Sequence, residues 1–323
     1  MRPPDRSPLD GPLASNFTTG HAAPRAASGS VSDATHPPLE AVPLTQRRLS
    51  RRGLVQLADQ LSDRDQATIE TVARLRLLQA DQVRRLFFHD ISTKAGSARV
   101  CRRSLQRLTE CGLLRPLERQ VGGRRAGSKG TVFATTAAGR RLVAYWAGLG
   151  DASDRGMHEP GLPFVKHTLA ISDLYVTLVE ADRAGKLELL AFDAEPSCWR
   201  TFATPLGGST ILKPDALVRV AVGEYEHASF VEVDLGTEGR GALLRKTDAY
   251  IAYFESGREQ ARHGLFPLVV WITTTASRAC LLDALIASLS AGARRLFATT
   301  VTGHDAIATL TGTSPGAPTG ETR

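Results

Sequence analysis

Cysteine is scarce and scattered. The chain of 323 residues holds four, Cys101, Cys111, Cys198 and Cys280, and no two of them form a Cys-x-x-Cys pair. Structural zinc needs clustered ligands, so a zinc site is not expected. Isolated thiols suit a reducing compartment, which points to the cytoplasm. No apolar run reaches the roughly 18 residues a membrane helix needs, so no membrane partner is expected. The N-terminal stretch has scattered arginines without an apolar core, which does not read as a secretory signal. Neither a P-loop nor a dinucleotide-binding glycine fingerprint occurs, which argues against a nucleotide-driven motor. The eight histidines are dispersed; a tyrosine relaxase would need several of them together around a metal.

Positive charge is plentiful, and it is concentrated. The formal net charge is +7. Between Gln46 and Gly130, 19 Lys/Arg stand against 8 Asp/Glu. That excess is larger than the whole chain's, so the remainder is net acidic. Such asymmetry fits a module for a polyanion beside a neutral or acidic one.

Composition also divides the chain. Residues 1–44 are rich in Pro, Gly, Ala and Ser with little apolar periodicity, and read as a disordered tail, as do residues 312–323. A polar, glycine-containing stretch at 148–161 separates two patterned regions, 57–147 and 162–300, and reads as a linker.

In the first region, Ser62 followed by Asp63 and Asp65 predicts a helix start, with Ile69, Val72, Ala73 and Leu75 as its apolar face. A second helix carries Ala80, Val83, Leu86 and Phe87. The Gly96-Ser97 pair predicts a turn before a third helix, with Val100, Leu105 and Leu108 inward, Arg99, Arg102, Arg103 and Arg107 on other faces, and Gly112 as its stop. Strand-like runs at 113–121 and 131–135 flank a basic glycine-rich tip with Arg124, Arg125 and Lys129, and a helix over 136–146 closes the unit. Three helices followed by a hairpin with a basic tip is the order of a winged helix-turn-helix. The third helix can then lie in the major groove of double-stranded DNA while the wing meets the adjacent backbone. The seven basic residues named are the candidate DNA contacts.

The second region reads as mixed α/β. A helix containing His167 runs to about Ala184. Strands follow at 187–192, 211–222 and 229–235, then a long helix at 238–256, an apolar strand at 266–273, a helix at 277–290 and a short strand near Leu296. Glu232 and Asp234 are two apart and share a strand face; Asp215 follows Pro214 near the start of the neighbouring strand. Crowded carboxylates call for a cation, and Mg²⁺ takes one or two of them together with phosphate oxygens. Alternation with Val231, Val233 and Leu235 fits equally an edge strand with its carboxylates turned to water. His167 is a candidate to face the same site, although a lone histidine on a helix is more often structural. Thr237 and Glu238 predict the cap of the long helix.

Pro214-Asp215 and Glu232-Val233-Asp234 resemble the PD-(D/E)xK nuclease pattern, with Asp234 standing where the lysine belongs and Lys246 on the following helix as its substitute. Taken with the basic first region, His167, Lys213-Pro214-Asp215, the run from Glu232 to Glu238, Lys246 and Tyr250, the chain resembles the replication-relaxation family over roughly residues 60–290. The resemblance implies a restriction-endonuclease-like α/β domain after the winged helix. It also implies a role in replication or relaxation of plasmid or mobile-element DNA. It makes Asp215, Glu232, Asp234 and Lys246 the candidate catalytic set, with Asp215 and Glu232 holding Mg²⁺ for DNA cleavage or nicking. A non-catalytic replication or conjugation accessory, or a transcriptional regulator built on a degenerate nuclease-like scaffold, is the alternative. Replication or conjugation proteins are the expected protein partners.

Overall fold

The computed structural model describes residues 50–117, 130–149, 160–203, 207–302 and 304–313. The expected tails up to residue 44 and from residue 314, most of the 148–161 stretch, and Arg124, Arg125 and Lys129 lie outside the described residues. Residues 46–323 group as one unit, and the described part is mixed α+β.

The first patterned region supplies α1 (Arg51–Ala58), α2 (Asp63–Leu75), β1 (Leu78–Gln79), α3 (Ala80–Phe87), α4 (Lys94–Glu110), β2 (Leu114–Pro116), β3 (Val132–Thr135) and α5 (Ala137–Trp146). Ser62 caps α2 as expected. Its hydroxyl accepts from the Asp65 amide, and Asp65 accepts from the Ser62 amide, a reciprocal capping box. The three strands form an antiparallel sheet in the order β1-β3-β2.

Two local expectations change. Gly96-Ser97 is not a turn before α4 but lies in its first turn. The helix starts at Lys94, where the Thr93 hydroxyl accepts from the Gly96 amide. Ser97, Cys101, Leu105 and Leu108 therefore face inward, and Val100 is 41% exposed rather than internal. Gly112 does stop the helix, at φ +69°, a left-handed conformation that suits glycine.

The second region begins with α6 (Leu162–Arg183) and continues through β4 (Glu188–Ala194), β5 (Arg200–Ala203), β6 (Ser209–Leu212), β7 (Ala216–Val222), β8 (Tyr225–Asp234), α7 (Arg240–Glu255), α8 (Arg258–His263), β9 (Leu268–Thr273), α9 (Ala276–Ala287), α10 (Ala291–Arg294), β10 (Phe297–Val301) and α11 (His304–Leu310). A five-stranded sheet runs β10-β9-β8-β7-β4. The pairs β4/β7 and β7/β8 are antiparallel, and β8/β9 and β9/β10 are parallel. The expected single strand over 211–222 is two: β6 pairs with β5 in a separate hairpin, and Lys213-Pro214-Asp215 is the break before β7. Proline has no amide to give a ladder, which makes this a natural place to change sheets. The long helix starts at Arg240 with Gly239 as its cap residue and no side-chain cap bond, so Thr237 does not cap it.

Helix α6 joins the two regions. Val176 and Leu178 share one core cluster with Leu78, Leu86 and Leu105 of the first region and with Val218, Val231 and Val270 of the large sheet. A helix covered on more than one side must be apolar around most of its circumference, which accounts for its buried residues lying on several faces. Polar contacts lock the same seam. Buried Gln82 donates to the Leu169 carbonyl at 3.1 Å, Ser172 donates to the Leu77 carbonyl at 2.8 Å, and Arg85 grips both Glu180 and Asp173. The other face of the large sheet carries a second cluster built around Phe230, Trp271, Tyr250 and Leu282.

Candidate functional site

The break before β7 sets Asp215 opposite β8. Its backbone amide donates to the Val231 carbonyl at 3.0 Å. Its side chain then turns along β8. Oδ2 accepts from the Val233 amide at 2.7 Å, and Oδ1 lies 3.0 Å from Nε2 of His167, near the start of α6. The bond to Asp215 raises the His167 pKa above its ordinary value of 6.5, against the opposing effect of burial. His167 thus joins the site.

Glu232 lies beside this pair. Strand β8 is central, not an edge, and Glu232 is 2% exposed, so the solvent-facing alternative does not hold. Two groups one helical turn apart on α7 meet it: Lys246 Nζ at 2.9 Å from Oε2, and the Tyr250 hydroxyl at 2.7 Å from Oε1. A spacing of four residues on a helix puts both on one face. Lys246 also reaches Glu238 at 3.0 Å and stands 5.6 Å from the centre of the Trp271 ring. Burial and the Asp215 charge push Glu232 up to about 7, although Lys246 and Tyr250 pull the other way. Burial and the Glu232 charge raise the Tyr250 hydroxyl well above its usual value.

Asp234 goes elsewhere. It is 4% exposed and accepts from Arg278 Nε of α9 at 2.6 Å and from the Gly236 amide at 2.7 Å. Arg278 Nη2 also holds the Glu238 carbonyl at 2.7 Å. This pair ties the end of β8 to α9. Arg278 carried no signal in the sequence, because 44 residues separate it from Asp234 and no periodic pattern links them.

Lys213, Glu232, Glu238, Arg245, Lys246 and Tyr250 line a groove of about 310 Å³. Asp215 with His167, and Glu232 with Lys246 and Tyr250, form one polar cluster, of which Glu232, Lys246 and Tyr250 reach the groove beside Lys213 and Arg245. The model matched by the chain, that of replication-relaxation proteins, spans residues 69–269. This chain belongs to the replication-relaxation family. The family match begins within α2 and ends within β9, so it spans parts of both regions and contains the whole polar cluster. Membership associates the chain with replication or relaxation. No curated protein and no solved structure matches it.

Whether the cluster suits Mg²⁺ is decided by its donors. All four oxygens of Asp215 and Glu232 have a protein partner: His167, the Val233 amide, Lys246 and Tyr250. Among the described residues, no group of three or more His, Cys, Asp or Glu is arranged to hold a metal. A dication would have to share its space with the Lys246 ammonium. As built, the donor set does not fit a resident Mg²⁺.

The expected DNA contacts on α4 are also distributed unevenly. Arg99, Arg102 and Arg103 are exposed, and their spacing puts them on one stripe of the helix. Arg107, four residues beyond Arg103 and itself about half exposed, is ion-paired with buried Asp65 of α2.

Proposed function

We propose that the chain is a DNA-binding protein of replication or relaxation that engages duplex DNA through α4. Helices α2, α3 and α4 with strands β2 and β3 support a winged-helix reading, in which α4 is the helix that enters the major groove. The observation that carries it is the solvent-facing stripe of Arg99, Arg102 and Arg103 within a region of marked positive charge. Fluorescence anisotropy with a labelled duplex tests this. Binding should weaken as salt rises, and Arg99→Ala/Arg103→Ala should lower affinity at fixed salt. Binding that ignores salt and both substitutions sinks the proposal.

For the second region, the order α6, β4, β7, β8, α7, β9 supports a nuclease-like scaffold, with the β5–β6 hairpin inserted. The internally neutralised carboxylates favour a non-catalytic scaffold that presents DNA. A second reading, Mg²⁺-dependent cleavage or nicking, has one observation behind it: Lys246 reaches Glu232 from α7, where the nuclease resemblance needs its lysine. Incubation of supercoiled plasmid with Mg²⁺ or Mn²⁺ separates the two. Cleavage by the wild type that disappears in Asp215→Ala establishes the second reading; no cleavage, or equal cleavage by both, removes it.

A further inference from the structure

A second concavity lies beside the polar cluster. It is a cleft of about 690 Å³ at the junction of β5 with α7 and α8. Trp199, Arg200, Tyr253, Arg258 and Arg262 are among its lining residues, and no carboxylate is. Arg200 is held in place: it pairs with buried Glu259 and donates to the Cys198 carbonyl at 2.9 Å. Glu259 also accepts from the Tyr253 hydroxyl, which fixes α8 against the wall. Arg258 and Arg262 are exposed, and none of the ion pairs among the described residues involves them.

Trp199 connects this cleft to the groove of the polar cluster. Lys213 Nζ stands 4.8 Å from the centre of its ring, and Lys213 lines that groove together with Arg245 and Lys246. The indole N–H of Trp199 is buried with no acceptor among the described residues. A cationic path thus runs from Arg245 across Lys213 and Trp199 to Arg258 and Arg262. Polyanion backbones are tracked by such paths, and aromatic walls take unpaired bases, whose faces a duplex keeps stacked. A concave cleft with Trp199 at its wall suits one strand better than a rigid double helix.

We propose that this path binds a single-stranded segment of DNA, with phosphates along Lys213, Arg258 and Arg262 and a base in the cleft beside Trp199. The proposal deepens the DNA-binding reading above by giving the second region its own substrate class, an unpaired strand next to the duplex held by α4.

The test uses the full chain, with a labelled 16-nucleotide single strand and a labelled duplex measured separately by anisotropy. Arg258→Ala/Arg262→Ala should lower single-strand affinity at least tenfold and leave duplex affinity unchanged. Arg99→Ala/Arg103→Ala should do the reverse. Lys213→Ala serves as an independent variant on the same path and should weaken the single strand in the same sense. The proposal is overturned if the wild type does not bind the single strand, if the Arg258/Arg262 variant binds it as the wild type does, or if polyglutamate competes as well as the oligonucleotide. A wild type that binds the single strand but no duplex would sink the α4 reading alone.

Discussion

Arg107, on the helix proposed to meet DNA, spends its guanidinium on Asp65, a carboxylate 2% exposed at the start of α2. Asp65 also accepts from the Ser104 hydroxyl at 2.9 Å and from the Ser62 amide at 3.1 Å. One buried carboxylate therefore caps α2 and ties it to α4 through Ser104 and Arg107.

Arg107→Ala should consequently act on stability more than on DNA affinity. It removes a charged donor from a buried acceptor, a loss of about 1–2 kcal/mol given that Arg107 itself is half exposed. Urea denaturation of the variant should show the lower midpoint with an unchanged slope. A normal midpoint with strongly reduced DNA binding would place Arg107 at the interface instead.

The same carboxylate predicts an acid limit. Burial would raise the Asp65 pKa, but hydrogen bonds from Ser62, Arg107 and Ser104 outweigh it and hold the value below 3.8. A depressed folded-state pKa gives stability that is fully present above the unfolded value and is lost as pH falls through the folded one. Asp65→Asn should therefore be less stable than the wild type at pH 7, and the gap should close below about pH 3.8. Thermal melts at pH 7, 5 and 3 check this; a gap that stays constant contradicts it.

On the exposed stripe, Arg99→Ala and Arg103→Ala should weaken duplex binding. Each should also reduce the slope of log K against log salt by about 1, as expected for one lost phosphate contact. A substitution that relaxes sequence preference without changing the slope would assign that arginine to a base edge.

Lys246→Met should leave Glu232 buried without its ammonium partner. The cost is about 1–3 kcal/mol, below that of a fully buried pair because Lys246 is one-third exposed. Glu232→Gln in the Lys246→Met background should recover part of it, since a neutral amide no longer needs the cation. Denaturation of the four proteins of this double-mutant cycle measures the coupling. Additive losses would show that Lys246 and Glu232 do not act as a pair.

The basic first region, the capped α2 and the strands at β7, β8 and β9 were legible because each rests on local spacing; Asp215, Glu232 and Lys246, 17 and 14 residues apart, were candidates through the family resemblance. Ser62 and Asp65 lie three residues apart, Glu232 and Asp234 two, Lys246 and Tyr250 four. Such separations translate into shared faces through strand and helix geometry alone. Other features were not legible for the converse reason. The β5–β6 hairpin looks like part of one long strand until Pro214 breaks the ladder. Asp234 looks equivalent to Glu232 until Arg278 arrives from α9 to claim it.

By itself, then, the chain's order of residues determined most of the longer helices and strands, where positive charge collects, and which nearby side chains share a face. Those properties depend on neighbours a few residues away. Tertiary packing alone decided that α6 is shared by both regions, that Arg107 is engaged while Arg99 and Arg103 remain exposed, and that every oxygen of Asp215 and Glu232 has a protein donor. Those outcomes turn on distances between atoms tens of residues apart in the chain. Local spacing carries no information about such distances until buried apolar faces have brought the elements together.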